Sequence, residues 1–287
     1  MPSAGAKARA FPLQRRLQMV LARGMRSAYR FGTFRLVPYA RLAALAMLVA
    51  NSAASAAPCS FALQGEGRVA AIVDARSLRL TDGREIRLAG IEPVSPEAAK
   101  RTAALSAIVA GRDIVLRGDD DGPDRYGRQT AFILVAGEEN SVQATLLAQG
   151  EAFAAADVSD RDCASALLAA EDSGRAAKKG IWAGPAATKN AESTGDILAG
   201  NGRFMLVEGR VLSVRQAGAT TYLNFGRNWT RDFAVTISRR VLPSLEAAGK
   251  TPKSLENRRI RVRGFIETRT GPRIELLRAG QIELLGN

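Results

Sequence analysis

The sequence predicts an α+β unit built on a small β-barrel, followed by a second, all-β barrel. Three observations carry this. Residues 61–94 alternate apolar and polar with period two around a turn at TDGRE. Three apolar runs at helical spacing come next. After a stretch with no apolar period, alternation with period two returns and dominates to residue 277. A chain of 287 residues has room for two such cores.

The elements follow in order. Residues 1–57 carry nine Lys or Arg and no Asp or Glu, with the apolar run LAALAMLVA and the small-residue stretch NSAASAA at their end. That order predicts a secretory signal peptide over 1–57, cleaved after Ala56 or Ala57. Its apolar run is too short for a membrane span, which needs about 20 residues. A lipid anchor on Cys59 is the second reading of this boundary, and Met25 is a second candidate start. Without the leader the chain carries 32 basic and 28 acidic residues, so the charge of the whole sequence overstates its attraction for polyanions. The charge is also uneven: residues 61–185 hold 15 basic and 19 acidic residues, and 186–287 hold 17 and 9. Long-range attraction for a polyanion belongs to the second half.

GEGRVAAIVDARSLRLTDGREIRLAGI reads as a hairpin or meander with one buried face. SPEAAKRTAALSAIVAG reads as an amphipathic helix, with Ser95 as N-cap, Pro96 in the first turn and Gly111 as stop. RDIVLRG and TAFILVA are strands around the polar loop DDDGPDRYGRQ. SVQATLLAQGEAF and CASALLAAEDSGRAAKKG are the second and third helices. Residues 58–184 make the first domain, and 185–202, rich in small and polar residues, a linker. In 203–287 the strands FMLVEGRVLSV, TTYLNFG, DFAVTI, RRIRVRGFIE and GPRIELL, with a helix over SRRVLPSLEAAG, predict a basic OB-like barrel.

The only two cysteines, Cys59 and Cys163, are expected to form a disulfide in an exported chain. There is no histidine, which excludes imidazole acid–base chemistry and His-ligated metals. Hydrolytic chemistry would have to run on carboxylates, arginines or hydroxyls. The acidic run DDDGPD lacks the spacing and terminal glutamate of an EF-hand loop and reads as a solvated turn.

Four patterns in order, RLAGI after a hairpin, DRYGR before an apolar strand, LLAQGEAFA, and the closing run Glu171, Ala176, Ala177, Gly180, Ile181 and Trp182, resemble the staphylococcal nuclease-like (thermonuclease) domain family. The resemblance covers about residues 63–184. It implies an OB-type five-stranded barrel with three helices, and a hydrolase ancestry in calcium-dependent cleavage of DNA and RNA phosphodiesters. It assigns Arg87 and Arg128 to the charge of the pentacoordinate phosphate, a task suited to bidentate guanidinium groups. It places Arg125 and Tyr126 beside the bound nucleotide.

The sequence departs from that pattern at three places. Where the resemblance implies a calcium aspartate in a DGDT-like turn, the residues are Asp74, Ala75, Arg76 and Ser77, so the ligand position holds Arg76. The second metal aspartate is matched by Glu92, followed by Pro93. The general base would fall at Ser95, with Glu97 two residues further on, at the start of a helix. Glu92 and Glu97 are therefore the candidate bases. No metal ligand set is predicted. A guanidinium at Arg76 is expected to fill the ion's place, pair with Glu92 and add to substrate binding.

The second half interleaves Tyr222, Phe225 and Trp229 with Arg227 and Arg231, and its two-residue period sets Arg259, Arg261 and Arg263 on one strand face. Aromatics flanked by arginines suit single-stranded nucleic acid on an OB barrel. Nucleic acid is the expected partner and an acidic envelope polymer the second, acting outside the cytoplasm. A non-catalytic binding or scaffold protein is the alternative to the nuclease.

Overall fold

One long strand organises the first half of the computed structural model, which describes residues 59, 61–94, 98–120 and 122–286. β1 (Ala62–Asp74) pairs antiparallel with β5 (Asp113–Gly118) by its first part and with β2 (Ser77–Leu80) by its last. It does both because it bends at three register shifts, the local effect of bulges. β2 turns into β3 (Glu85–Leu88) through Gly83 at φ +90°, with Asp82 Oδ1 accepting from Arg84 N at 3.0 Å. β3 runs parallel to β6 (Arg128–Val135), and β6 returns antiparallel to β5. Five strands thus close into a ring in the order β1-β2-β3-β6-β5.

The alternation seen in the sequence points Leu78, Leu80, Ile86, Leu88, Ile114 and Leu116 into the ring, none more than 1% exposed. β4 (Ile91–Pro93) pairs with β7 (Ala152–Ala154) in a separate two-stranded sheet. β7 corrects the second helix, which ends earlier than QGEAF implies: α2 (Val142–Ala148) stops before Gly150 at φ +70°. α1 (Ala98–Val109) ends before Gly111 at φ +67°, and α3 (Arg161–Ala176) starts at Asp160, whose carboxylate caps Cys163 N. The leader, Ser95, Pro96 and Glu97 lie outside the described residues. Cys59 and Cys163 form a disulfide that pins the chain just before β1 to the first turn of α3.

The stretch expected as a linker, 185–202, carries its own structure. β8 (Thr188–Asn190) pairs parallel with β9 (Phe204–Arg210), and α4 (Thr194–Leu198) buries Ile197. Small residues there allow close packing: a Cβ on Gly200 would meet Met205 Sδ at 2.2 Å.

The second half is an eight-stranded sheet. β10 (Ser213–Ala217), β11 (Thr220–Asn224), β12 (Ala234–Ser238), β14 (Pro272–Leu276), β13 (Arg259–Thr268), β9 and β8 follow one path, and β15 (Ile282–Leu284) pairs with β13. β12 and β14 are parallel, with α5 (Leu242–Ala247) between β12 and β13 in sequence. Fully buried Val207, Leu223, Val235, Ile260, Val262 and Ile274 make its core. The chain is therefore a mixed α+β structure with several sheets.

The two halves share buried chemistry. Phe153, Trp182 and Leu206 form one apolar cluster, and Phe204 links Phe153 to Phe265 through ring contacts. Beside it the fully buried Arg263 of β13 grips Glu171 of α3 with two hydrogen bonds, 2.9 and 3.1 Å, and donates to the Ala154 carbonyl at 2.8 Å and to Glu283.

Candidate functional site

Parallel pairing of β3 with β6 sets Arg87 opposite Thr130 and Arg128 opposite Glu85. With a two-residue period, both arginines lie on the outer face of the ring, because Ile86 and Leu88 fill its interior. They are diagonal neighbours, so one phosphate can lie between them.

Arg128 is held from below. Its Nε and Nη2 donate to Asp124 Oδ2 at 3.0 and 2.8 Å, and Asp124 Oδ1 accepts from the Tyr126 and Arg128 amides. The side-chain bond from Arg128 and the backbone amides keep the Asp124 carboxyl below its ordinary range, and the same bond raises the Arg128 guanidinium. Tyr126 stands 64% exposed, with Arg125 and Arg128 at 4.7 and 5.0 Å from its ring centre. That geometry is a cation–π stack in solvent.

Arg87 reaches Glu92 less closely, Nη2 to Oε1 at 3.9 Å, and keeps a quarter of its side chain exposed. The strong partner of Glu92 is Arg76, whose Nη1 donates to Glu92 Oε1 and to the Ile91 carbonyl at 3.3 Å. Burial pushes the Glu92 carboxyl above its ordinary value, and Arg76 pulls it back. Ser77, opposite Arg87 on β2, has a buried hydroxyl without a hydrogen-bond partner among the described residues. Asp74 Oδ1 accepts from the Arg76 amide at 2.8 Å. Asp157, absent from the sequence reading, is felt electrostatically at Glu92. It lies far along the chain in a polar loop with no motif to mark it.

These residues do not fit a divalent cation. Of the two carboxylates that the resemblance asks for, one position is a guanidinium hydrogen-bonded to the other. Among the described residues no three Asp, Glu or Cys side chains are grouped as metal ligands. Of the carboxylates beside the arginines, Glu92 is engaged by Arg76 and Asp124 by Arg128. Glu97 lies outside the described residues.

In the second half the expected residues divide. Tyr222 is half-buried at a surface groove, Trp229 is 64% exposed, and Arg227 and Arg231 are exposed. Phe225 is core: it is 3% exposed and packs on Phe233 at 5.1 Å. Arg261 is 8% exposed, bonded to Glu208 through Nε at 2.8 Å and to Glu283 through Nη1 at 2.8 Å. The two-residue period does put Arg259, Arg261 and Arg263 on one face, but β9, β15 and α3 set carboxylates against Arg261 and Arg263. Phe225 and Arg261 are therefore structural residues, and of the expected basic stripe Arg261 and Arg263 form an internal ion-pair network while Arg259 stays exposed.

Residues 85–184 match the family model of staphylococcal nuclease homologues. The matched segment begins at β3, so β1, β2 and Arg76 lie outside it. No curated protein is similar enough to the chain to count as a match.

Proposed function

We propose, taking residues 85–184 as a staphylococcal nuclease-like domain, that the protein binds nucleic acid outside the cytoplasm and that its first ring does so without calcium. Arg87 and Arg128 hold backbone phosphate, and Tyr126 stacks on the neighbouring base or sugar. The observation that carries this reading is the hydrogen bond from Arg76 to Glu92, which puts a fixed positive charge where the resemblance implies an ion. Electrostatic attraction for a phosphate is kept.

The pairing order supports reading both halves as OB-type barrels. β1 gives one end to β5 and the other to β2, with β3 parallel to β6. β9 and β10, two residues apart, divide in the same way between β13 and β11, with β12 parallel to β14. In both halves a helix intervenes before the fourth strand of the scheme. The Cys59–Cys163 disulfide and the basic, apolar and small-residue order of the first 57 residues support work in an oxidising compartment.

The test uses the purified chain with labelled single- and double-stranded DNA and RNA, in millimolar calcium or chelator, beside the Arg87→Ala/Arg128→Ala variant. Expected are salt-dependent binding equal in both buffers, weakened about tenfold or more by the double substitution, and intact probe. Calcium-stimulated cleavage abolished by the double substitution would make the protein a nuclease and overturn the reading. Tighter binding to an acidic polysaccharide than to any nucleic acid would favour the envelope-polymer alternative.

A further inference from the structure

We infer that a groove on the second half is a binding site for single-stranded nucleic acid, with Trp229 and Tyr222 stacking on bases and Arg215 and Arg269 meeting phosphates. The inference rests on the nucleic-acid reading above but uses a different surface. The groove holds about 440 Å³, within the range of small-ligand sites.

Its floor is the solvent face of the sheet. Tyr222 on β11 pairs with Arg215 on β10 and Thr236 on β12. One step along, Asn224 pairs with Ala234, and Ala234 with Arg273 on β14. The alternate residues Leu223, Val235 and Ile274 are fully buried on the other face. The walls are the loop 225–233, carrying Trp229, and the turn between β13 and β14, carrying Arg269.

The loop is built to hold its tryptophan out. Asn228 N donates to Asp232 Oδ2 at 2.8 Å, Asn228 Oδ1 accepts from Thr230 N and Oγ1, and the Asn228 carbonyl accepts from the Arg231 and Asp232 amides. Two glycines seat it. A Cβ on Gly226 would stand 2.0 Å from Asp232 Oδ2, and one on Gly271 would stand 3.0 Å from the Arg231 and Asp232 backbone. An indole left 64% exposed on a loop this ordered contributes little to the core. Its open ring is a platform.

The charges point to an anion. Arg215 and Arg269 make no ion pair among the described residues, nor do Arg227 and Arg231 of the loop 225–233. The nearby acids are occupied or turned away: Asp232 caps Asn228, Glu267 pairs with Arg273 at 3.0 Å, and Glu275 lines a separate cleft. Aromatic faces among arginines favour a strand whose bases are unstacked over a duplex. This set replaces Phe225 and Arg261, the buried members of the sequence reading, with Arg215 and Arg269.

The test is anisotropy of a dye-labelled dodecathymidylate with the whole chain at low salt. Trp229→Ala and Arg269→Ala are each expected to weaken binding about tenfold with an unchanged Tm, the loss a single stacking or phosphate contact gives, and Trp229→Phe to keep it within about threefold. Arg87→Ala/Arg128→Ala serves as the reference for the other surface. If that double variant loses binding and Trp229→Ala does not, the groove is wrong and the first-ring reading stands. If the wild type binds none of the nucleic acids, both fail. If the polysaccharide binds with the same dependence on Trp229 and the oligonucleotide does not, the groove exists but the inference about its ligand is overturned.

Discussion

Arg76 is the residue on which the first site turns. Its side chain is 16% and that of Glu92 12% exposed, so removing one partner leaves a poorly hydrated charge. Arg76→Met is expected to lower unfolding free energy in urea by about 2–3 kcal/mol, near the low end for a broken buried pair, and Arg76→Met/Glu92→Leu to recover most of it. On the proposal that Arg76 stands in for an ion, millimolar calcium should leave the melting temperature unchanged. A calcium-induced rise would refute that role. Glu92 also sets a pH dependence. Burial raises its folded pKa above the unfolded value, so its titration contributes stability that is full below the unfolded pKa and is lost as pH rises through the folded one. Glu92→Gln removes that loss, so its melting temperature should gain on the wild type with rising pH across the carboxylate range, whatever offset the lost ion pair adds.

At the scale of elements, strands and helices were legible wherever a period had room to repeat. β1 to β3 and β11 to β14 follow from alternation, which runs β9 and β10 together as one strand, and α1 and α3 follow from apolar spacing, with Gly111 marking the end of α1. The three-residue strands β7, β8 and β15 were not, since no period fits in three residues and their partners lie elsewhere in the chain. The arginine pair of the first site was visible because RLAGI and DRYGR carry it locally. The groove of the second half was only half visible: Tyr222 and Trp229 announce themselves, whereas Arg215 joins them through pairing with β11. The disulfide was read from compartment alone, and it closes a long loop, with a separation of 104 residues. Reduction, or Cys163→Ser, is expected to cost up to about 4.7 kcal/mol by loop-closure entropy, checked by denaturant unfolding with and without reductant.

Over the whole molecule, the second half completes the first. Arg263 is fully buried against Glu171, and nothing near either residue in sequence signals the other, which is why the two-residue period alone sets Arg263 on a basic strand face. Arg263→Met is expected to destabilise by roughly 3–5 kcal/mol, with Glu171 left buried beside Arg175 alone. Glu283 tightens the same network. Burial raises its carboxyl, but Arg263 and Arg261 more than offset this and hold it below its ordinary value. A lowered folded pKa contributes stability above the unfolded pKa that is lost as pH falls through the folded one. Acid should therefore weaken the wild type more than Glu283→Gln, as read from melting temperatures between neutral pH and pH 4. The partner that satisfies Glu171 is 92 residues downstream. Until β13 docks, Glu171 has only Arg175 and the Ala154 amide to hold it, so the seam between the halves is where the first half depends on residues far along the chain.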